Sequence, residues 1–403
     1  MSLLFVDNSI IDRRSRKLIR SHAAKGKNLG KTLIPRRKRS EVGGRTVAPM
    51  PEGRRSEPES IERQFGDGLS VYPIPAKLPP GSRSLVQRVA SSAAITSSPS
   101  QQTEDSIETM RHLSDTFRLI NEKLAGDEAL SDGTIAVILC MTQYERIRGH
   151  YRMGRVHFKG LKQIIELRGG IAQFIVDGPE IAQKLFKADV EIALHLGSKT
   201  YCSAEIVAEY TKVRGSFEVG YDYIRLCPTS RRISTELQDA LRETMSLAWL
   251  LNTSTGNEAK LDGGVFHDKI ILINYRLIQI SPLDDQRPLN YIENAFHLGL
   301  LACMTTVRLG FANHTPHYSL LSSLIRIACN SFVEGDEDSQ KLFLWVLFVG
   351  NVSVLWQQDH AWVIPKIQEI TLSLNLRTWE DIRQIISGFP WIGALHDKSG
   401  QIL

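Results

Sequence analysis

Between Met153 and Gly170 the chain reads MGRVHFKGLKQIIELRGG. Phe158, Leu161 and Ile165 stand three and four residues apart, which places them on one face of an α-helix; in a strand Phe158 and Leu161 would point to opposite faces. Gly169–Gly170 then supply the left-handed backbone that stops a helix. The stretch is therefore expected to form a helix ended by its paired glycines.

Working outward, Ser131 opens SDGTIAVILCMTQYERIR, whose apolar centre is continuous. By pattern alone it could be a strand, but its uninterrupted length favours a helix buried on most sides. Upstream, Met110, Leu113, Phe117 and Ile120 recur at helical spacing behind a cap at Asp105 or Ser106. Downstream, helices fit PEIAQKLFKADVEIALHLG, STELQDALRETMSLAWLLN, DKIILINYRLIQI, YIENAFHLGLLACMTTVRLGF and YSLLSSLIRIACNSF. The most apolar segment, Leu342 to Trp356, is short for a bilayer span and includes Gly350, Asn351 and Ser353, so it reads as a buried core helix. In TWEDIRQIISGF, Thr378 caps, Asp381 takes the third helical position, and Trp379, Ile382 and Ile386 turn inward. Neither sustained strand alternation nor a fixed-period repeat interrupts the series. The expectation is an all-α body of roughly ten packed helices over residues 103–396, with 397–403 as a tail.

The N-terminal part has another character. Of 403 residues, 42 % are hydrophobic and 23 % charged, an ordinary globular balance, yet the net charge of +5 conceals an asymmetry. Residues 1–55 carry 15 Lys or Arg against 4 Asp or Glu, a net +11, and the rest of the chain carries 34 against 40, a net −6. Residues 1–60 are expected to be a disordered basic tail and 61–102 a Pro/Ser-rich linker, because neither buries enough apolar area to offset the entropy of ordering. The tail's cations, Arg13, Arg14, Arg16, Lys17, Arg20, Lys25, Lys27, Lys31, Arg36, Arg37, Lys38 and Arg39, are candidates for contact with an import receptor or with phosphates. Such a tail grips the nucleic-acid backbone weakly and without regard to sequence, since bases are read by groups held against their edges.

Other chemistries find little support. KGKNLGKT, Lys25 to Thr32, has glycine one position away from where a phosphate loop needs it, and no apolar strand precedes it. His314 and His317 flank Pro316 in a loop, without the three or four ligands of a zinc site. His150, His157 and His195 read as helix-surface or satisfied core residues, and EGDEDS, Glu334 to Ser339, lacks calcium-loop spacing. The five cysteines, Cys140, Cys202, Cys227, Cys303 and Cys329, are odd in number and widely spaced, as befits free thiols of a reducing compartment. No metal, cofactor, catalytic group, secretory signal or membrane span is expected.

Three ordered stretches resemble the fungal-specific transcription factor regulatory domain: LSDGTIAVILCMTQYE; HFKGLKQIIELRGGI, with His157, Gly160–Leu161 and Leu167, Arg168, Gly169, Gly170; and the run from Leu342 through Ile392. RKLIRSHAAKGKN resembles a basic segment of related proteins, in Lys17 and Arg20 to His22. The resemblance implies an all-α regulatory domain in a nuclear regulator of transcription, in a setting of metabolic or secondary-metabolite genes. Most members place a six-cysteine zinc cluster before this domain. Here no cysteine precedes Cys140, so the chain is expected to lack that reader and to act through the transcription machinery or DNA-binding partner proteins. The matched residues look architectural: Leu167 packing, Arg168 lying at a helix C-terminus, and the glycines ending the helix. A helical interaction scaffold outside transcription and an all-α enzyme with an unrecognised site remain the alternatives.

Overall fold

Local signals in the sequence fix many helix ends. Ser131 Oγ accepts the Thr134 N–H at 3.2 Å, and Asp336 Oδ1 accepts the Ser339 N–H at 2.8 Å. At Thr378 a reciprocal box closes: its hydroxyl accepts the Asp381 N–H while the Asp381 carboxylate accepts the Thr378 N–H at 2.9 Å. Each arrangement satisfies donors that the first turn of a helix leaves open.

The structure is a computed structural model that describes residues 104–215, 225–253, 263–284, 287, 289–307, 318–332 and 335–402. The basic tail, the Pro/Ser-rich linker, His314 and His317 lie outside the described residues. Those described contain fourteen α-helices, two short 3₁₀ turns and no strand. In chain order the helices are α1 (Glu104–Ala125), α2 (Asp132–Ile147), α3 (Tyr151–Leu167), α4 (Gly170–Asp177), α5 (Pro179–Leu196), α6 (Ala204–Arg214) and α7 (Thr235–Thr253). They continue as α8 (Gly263–Ile280), α9 (Tyr291–Val307), α10 (Ser319–Ser331), α11 (Glu337–Ser353), α12 (His360–Ser373), α13 (Trp379–Ile386) and α14 (Gly393–Gly400). None is long and apolar enough to cross a membrane.

The protein is all-α, as its periodicities indicate. Packing proceeds by neighbours: α2 on α3, both on α5, α5 on α8, α8 on α6 and α7, and α9 on α11, which α10, α12, α13 and α14 surround. The centre is the α9–α11 contact. Every residue from Leu342 to Gly350 is buried, which explains an apolar run with no polar face. Gly299 on α9 permits the approach, since a Cβ there would overlap the Trp345 ring. Trp345 in turn stacks on Phe389 with ring centroids 5.2 Å apart and donates its indole N–H to the Pro390 carbonyl at 3.1 Å.

Buried polar groups tie distant helices together. Asp189 on α5 accepts the Tyr275 hydroxyl of α8 at 2.7 Å and the backbone N–H groups of Tyr201 and Cys202 at 2.8 and 3.1 Å. Burial pushes its carboxyl up to about 6 against those hydrogen bonds. Glu191 pairs with Arg146 at 3.6 Å and accepts the Tyr318 hydroxyl at 3.0 Å, while His195 is sandwiched between Tyr151 and Tyr318. His297 accepts from Arg287 and donates to the Leu277 carbonyl, both at 2.7 Å, so it is a neutral imidazole whose pKa burial lowers to about 3.

The structure departs from expectation at the chain's end. Residues 397–400, expected to trail off, belong to α14. Asp397 accepts the Trp391 indole N–H at 2.8 Å and the Arg383 Nε–H at 3.2 Å, and Gly400 is buried. Of the inward-facing set on α13, Ile386 is fully buried, whereas Trp379 and Ile382 are half-buried.

Candidate functional site

The twelve tail cations lie outside the described residues. The remaining sequence-derived set, His157, Gly160, Leu161, Leu167, Arg168, Gly169 and Gly170, comes together on α3 and its C-terminal turn. Phe158, Leu161, Ile164 and Ile165 are buried against neighbouring helices. His157 is also buried, with its ring centroid 6.0 Å from that of Phe117 on α1, and burial lowers its pKa to about 4. Gly154 brings the N-terminal end of α3 close to α2: a Cβ there would sit 3.3 Å from the Thr142 carbonyl oxygen. α3 stops at Leu167, and Gly169 and Gly170 follow with φ of 112° and 86°, values that favour glycine.

Leu167 corrects the sequence reading. Expected to pack, it is 56 % exposed. The residue two turns beyond Leu161 on the same face is Arg168, not Leu167. Arg168 is the C-cap residue, and its guanidinium pairs with Asp132 in the first turn of α2 and with Asp177 at the end of α4, the latter at 3.7 Å. Arg168 thus fastens three helix ends together.

The outward side of α3 carries a pattern that net charge had hidden. Arg152, Arg155, Lys159 and Lys162 recur at three- and four-residue steps and are exposed. Among the described residues none of the four forms an ion pair; Lys162 lies over the Tyr201 ring, 4.2 Å from its centroid. Beside this row runs a second at the same spacing: Met153, Val156, Gly160, Gln163 and Leu167. Met153 is 49 % and Val156 42 % exposed, and Gly160 is half-buried. The body's net −6 averages the row away; counting charge along the helix period reveals it.

A crevice of about 50 Å³ between α5 and α8 is bordered by Gln183, Lys187, Val190, His267 and Ile271. It has room for a few waters, against roughly 300–1,000 Å³ for a site that encloses an organic ligand. Burial pushes the Cys140, Cys303 and Cys329 thiols up to about 12, far from the thiolate form that nucleophiles and metal ligands need. Asp189 and His297 each hold one helix to another through hydrogen bonds, an arrangement suited to support.

The family of the fungal specific transcription factor domain matches residues 76–388. Neither the curated proteins nor the solved structures contain a match. With that match covering most of the chain and an all-α body beneath it, the chain belongs to the fungal specific transcription factor domain family, a family of transcription regulators.

Proposed function

We propose that the protein is a nuclear, non-enzymatic regulator of transcription that acts through partner proteins on metabolic or secondary-metabolite genes, without a zinc cluster of its own. Family membership carries the reading. The cysteine pattern supports its last part: the first cysteine of the sequence, Cys140, is already a buried residue of α2. The tail, residues 1–60, serves import and adds weak, sequence-indifferent contact with phosphates, in keeping with its +11 over residues 1–55. The linker, 61–102, joins it to the regulatory body. His157, Gly160, Leu161, Arg168, Gly169 and Gly170 act as architecture for that body.

Chromatin occupancy of a tagged chain, with and without residues 1–60, tests the proposal. Full-length protein should occupy discrete promoter regions set by its partners, and removal of the tail should lower both nuclear abundance and occupancy. A full-length chain spread evenly through the cytoplasm would favour the scaffold reading instead.

A further inference from the structure

The outer face of α3 sets two rows of side chains next to each other. One row, Met153, Val156, Gly160, Gln163 and Leu167, leaves three sizeable apolar side chains half in water, with a glycine at its middle. The row spans fifteen residues, about 21 Å of helix from first to last. A glycine lets a second backbone approach closely, as helix–helix contacts require. The adjacent row carries four cations, Arg152, Arg155, Lys159 and Lys162, before it reaches Glu166.

We propose that this face docks an amphipathic α-helix of a partner protein, with aliphatic residues laid along Met153, Val156 and Leu167 across Gly160 and with Asp or Glu facing the cation row. Charge settles which helix fits. A second copy of α3 would set two cation rows against each other, so self-association through this face is disfavoured. Duplex DNA would satisfy the cations, but its phosphates would leave the aliphatic row without an apolar partner. An acidic amphipathic helix answers both rows at once, with apolar anchors for affinity and charges for register and encounter rate. The inference rests on the reading of the chain as a regulator that acts through partners. It is tested by binding alone, so either can fail without the other.

The probe is a fluorescein-labelled synthetic helix of roughly 18 residues, long enough to span the face, with Leu at three- and four-residue spacing and Glu on one flank. Its binding to the purified full chain is read by anisotropy. Arg155→Glu with Lys159→Glu should weaken binding at least about tenfold, and a peptide with Lys in place of Glu should recover binding to that variant. Gly160→Leu should also weaken binding about tenfold by blocking the approach, and a Leu→Ser peptide should bind at least about tenfold more weakly to the unaltered chain. Arg155 and Lys159 are exposed and Gly160 is half-buried, so circular dichroism and the melting temperature check that each variant keeps its fold. The proposal is overturned if the unaltered chain does not bind the acidic peptide, or if the variants bind it as well as the unaltered chain does. It is equally overturned if duplex DNA binds through the same cations while Gly160→Leu changes nothing, because the face would then be a phosphate surface.

Discussion

Replacing Leu161 by Asp should all but unfold the protein at neutral pH, and replacing it by Asn should do so less. Leu161 is fully buried on the face of α3 that holds Phe158 and Ile165. Losing its side chain from the core forfeits about 1.5–3 kcal/mol of burial. A polar group left without a partner adds about 1–3 kcal/mol. Both variants carry these costs; only Asp brings a charge. If the buried carboxyl takes up a proton, holding it protonated at pH 7 against an ordinary pKa of about 3.9 costs about 4 kcal/mol more. Because folding then raises this group's pKa, the added penalty is absent below the unfolded value and grows as pH rises towards the folded one. The gap between the two variants should therefore be about 4 kcal/mol at pH 7 and should close near pH 4. Urea unfolding followed by helical circular dichroism across that range measures it. Equal stability of Asp and Asn at pH 7, or melting of the Asp variant like the unaltered chain, would refute the burial of this face.

The unaltered protein should lose stability on acidification. Burial lowers His157 and His396 to about 4 and His297 to about 3, so their contribution is complete above about 6.5 and lost as pH falls towards those folded values. Asp189, raised to about 6, works in the opposite sense between about 4 and 6, leaving a net of about two protons. Stability that increases as pH is lowered from 6.5 to 5 in urea titrations would contradict these assignments. Gly299→Leu should force α9 away from Trp345 and cost about 3 kcal/mol or more, visible as a lower melting temperature and red-shifted tryptophan emission. Arg168→Ala should cost about 0.5–2 kcal/mol by releasing two part-exposed partners, Asp132 and Asp177, with Arg168→Lys recovering only part because two carboxylates suit a planar fork. Equal melting of all three Arg168 forms would show that the pairs contribute nothing.

What was legible from sequence was whatever short-range chemistry encodes. The Thr378–Asp381 box, the Ser131 cap, the Gly169–Gly170 stop and the unbroken apolar core of α11 all act within a few residues, and the structure shows each of them. Helices with weak or conflicting local signals were missed, α6 among them although Ser203 caps it by accepting the Ile206 N–H. α12 holds Pro365 in its interior, which argues against a helix until tertiary packing of Val363, Ile367 and Ile370 outweighs it. α6 is weakly amphipathic and owes its place to α8. α4 begins at the very glycine that signals a stop, and α14 is anchored by Asn252, which accepts the Gly393 N–H at 2.9 Å from 141 positions away. Arg168 shows the same limit: its place at a helix end was readable, but its partners were not, since Asp132 lies on another helix 36 positions earlier. The cation row of α3 was legible in principle, and the net charge of the body obscured it.

Regulation through partners, without base reading by this chain, is tested most directly by titrating the purified protein onto duplex DNA of varied sequence at several salt concentrations. If about half of the fifteen basic groups in residues 1–55 engage phosphates, log affinity should fall against log salt with a slope of roughly −6 to −7, at micromolar or weaker affinity in physiological salt and alike for every sequence. Nanomolar binding to one sequence over its scrambled counterpart, surviving removal of residues 1–60, would contradict the account and place a base-reading surface within the helical body.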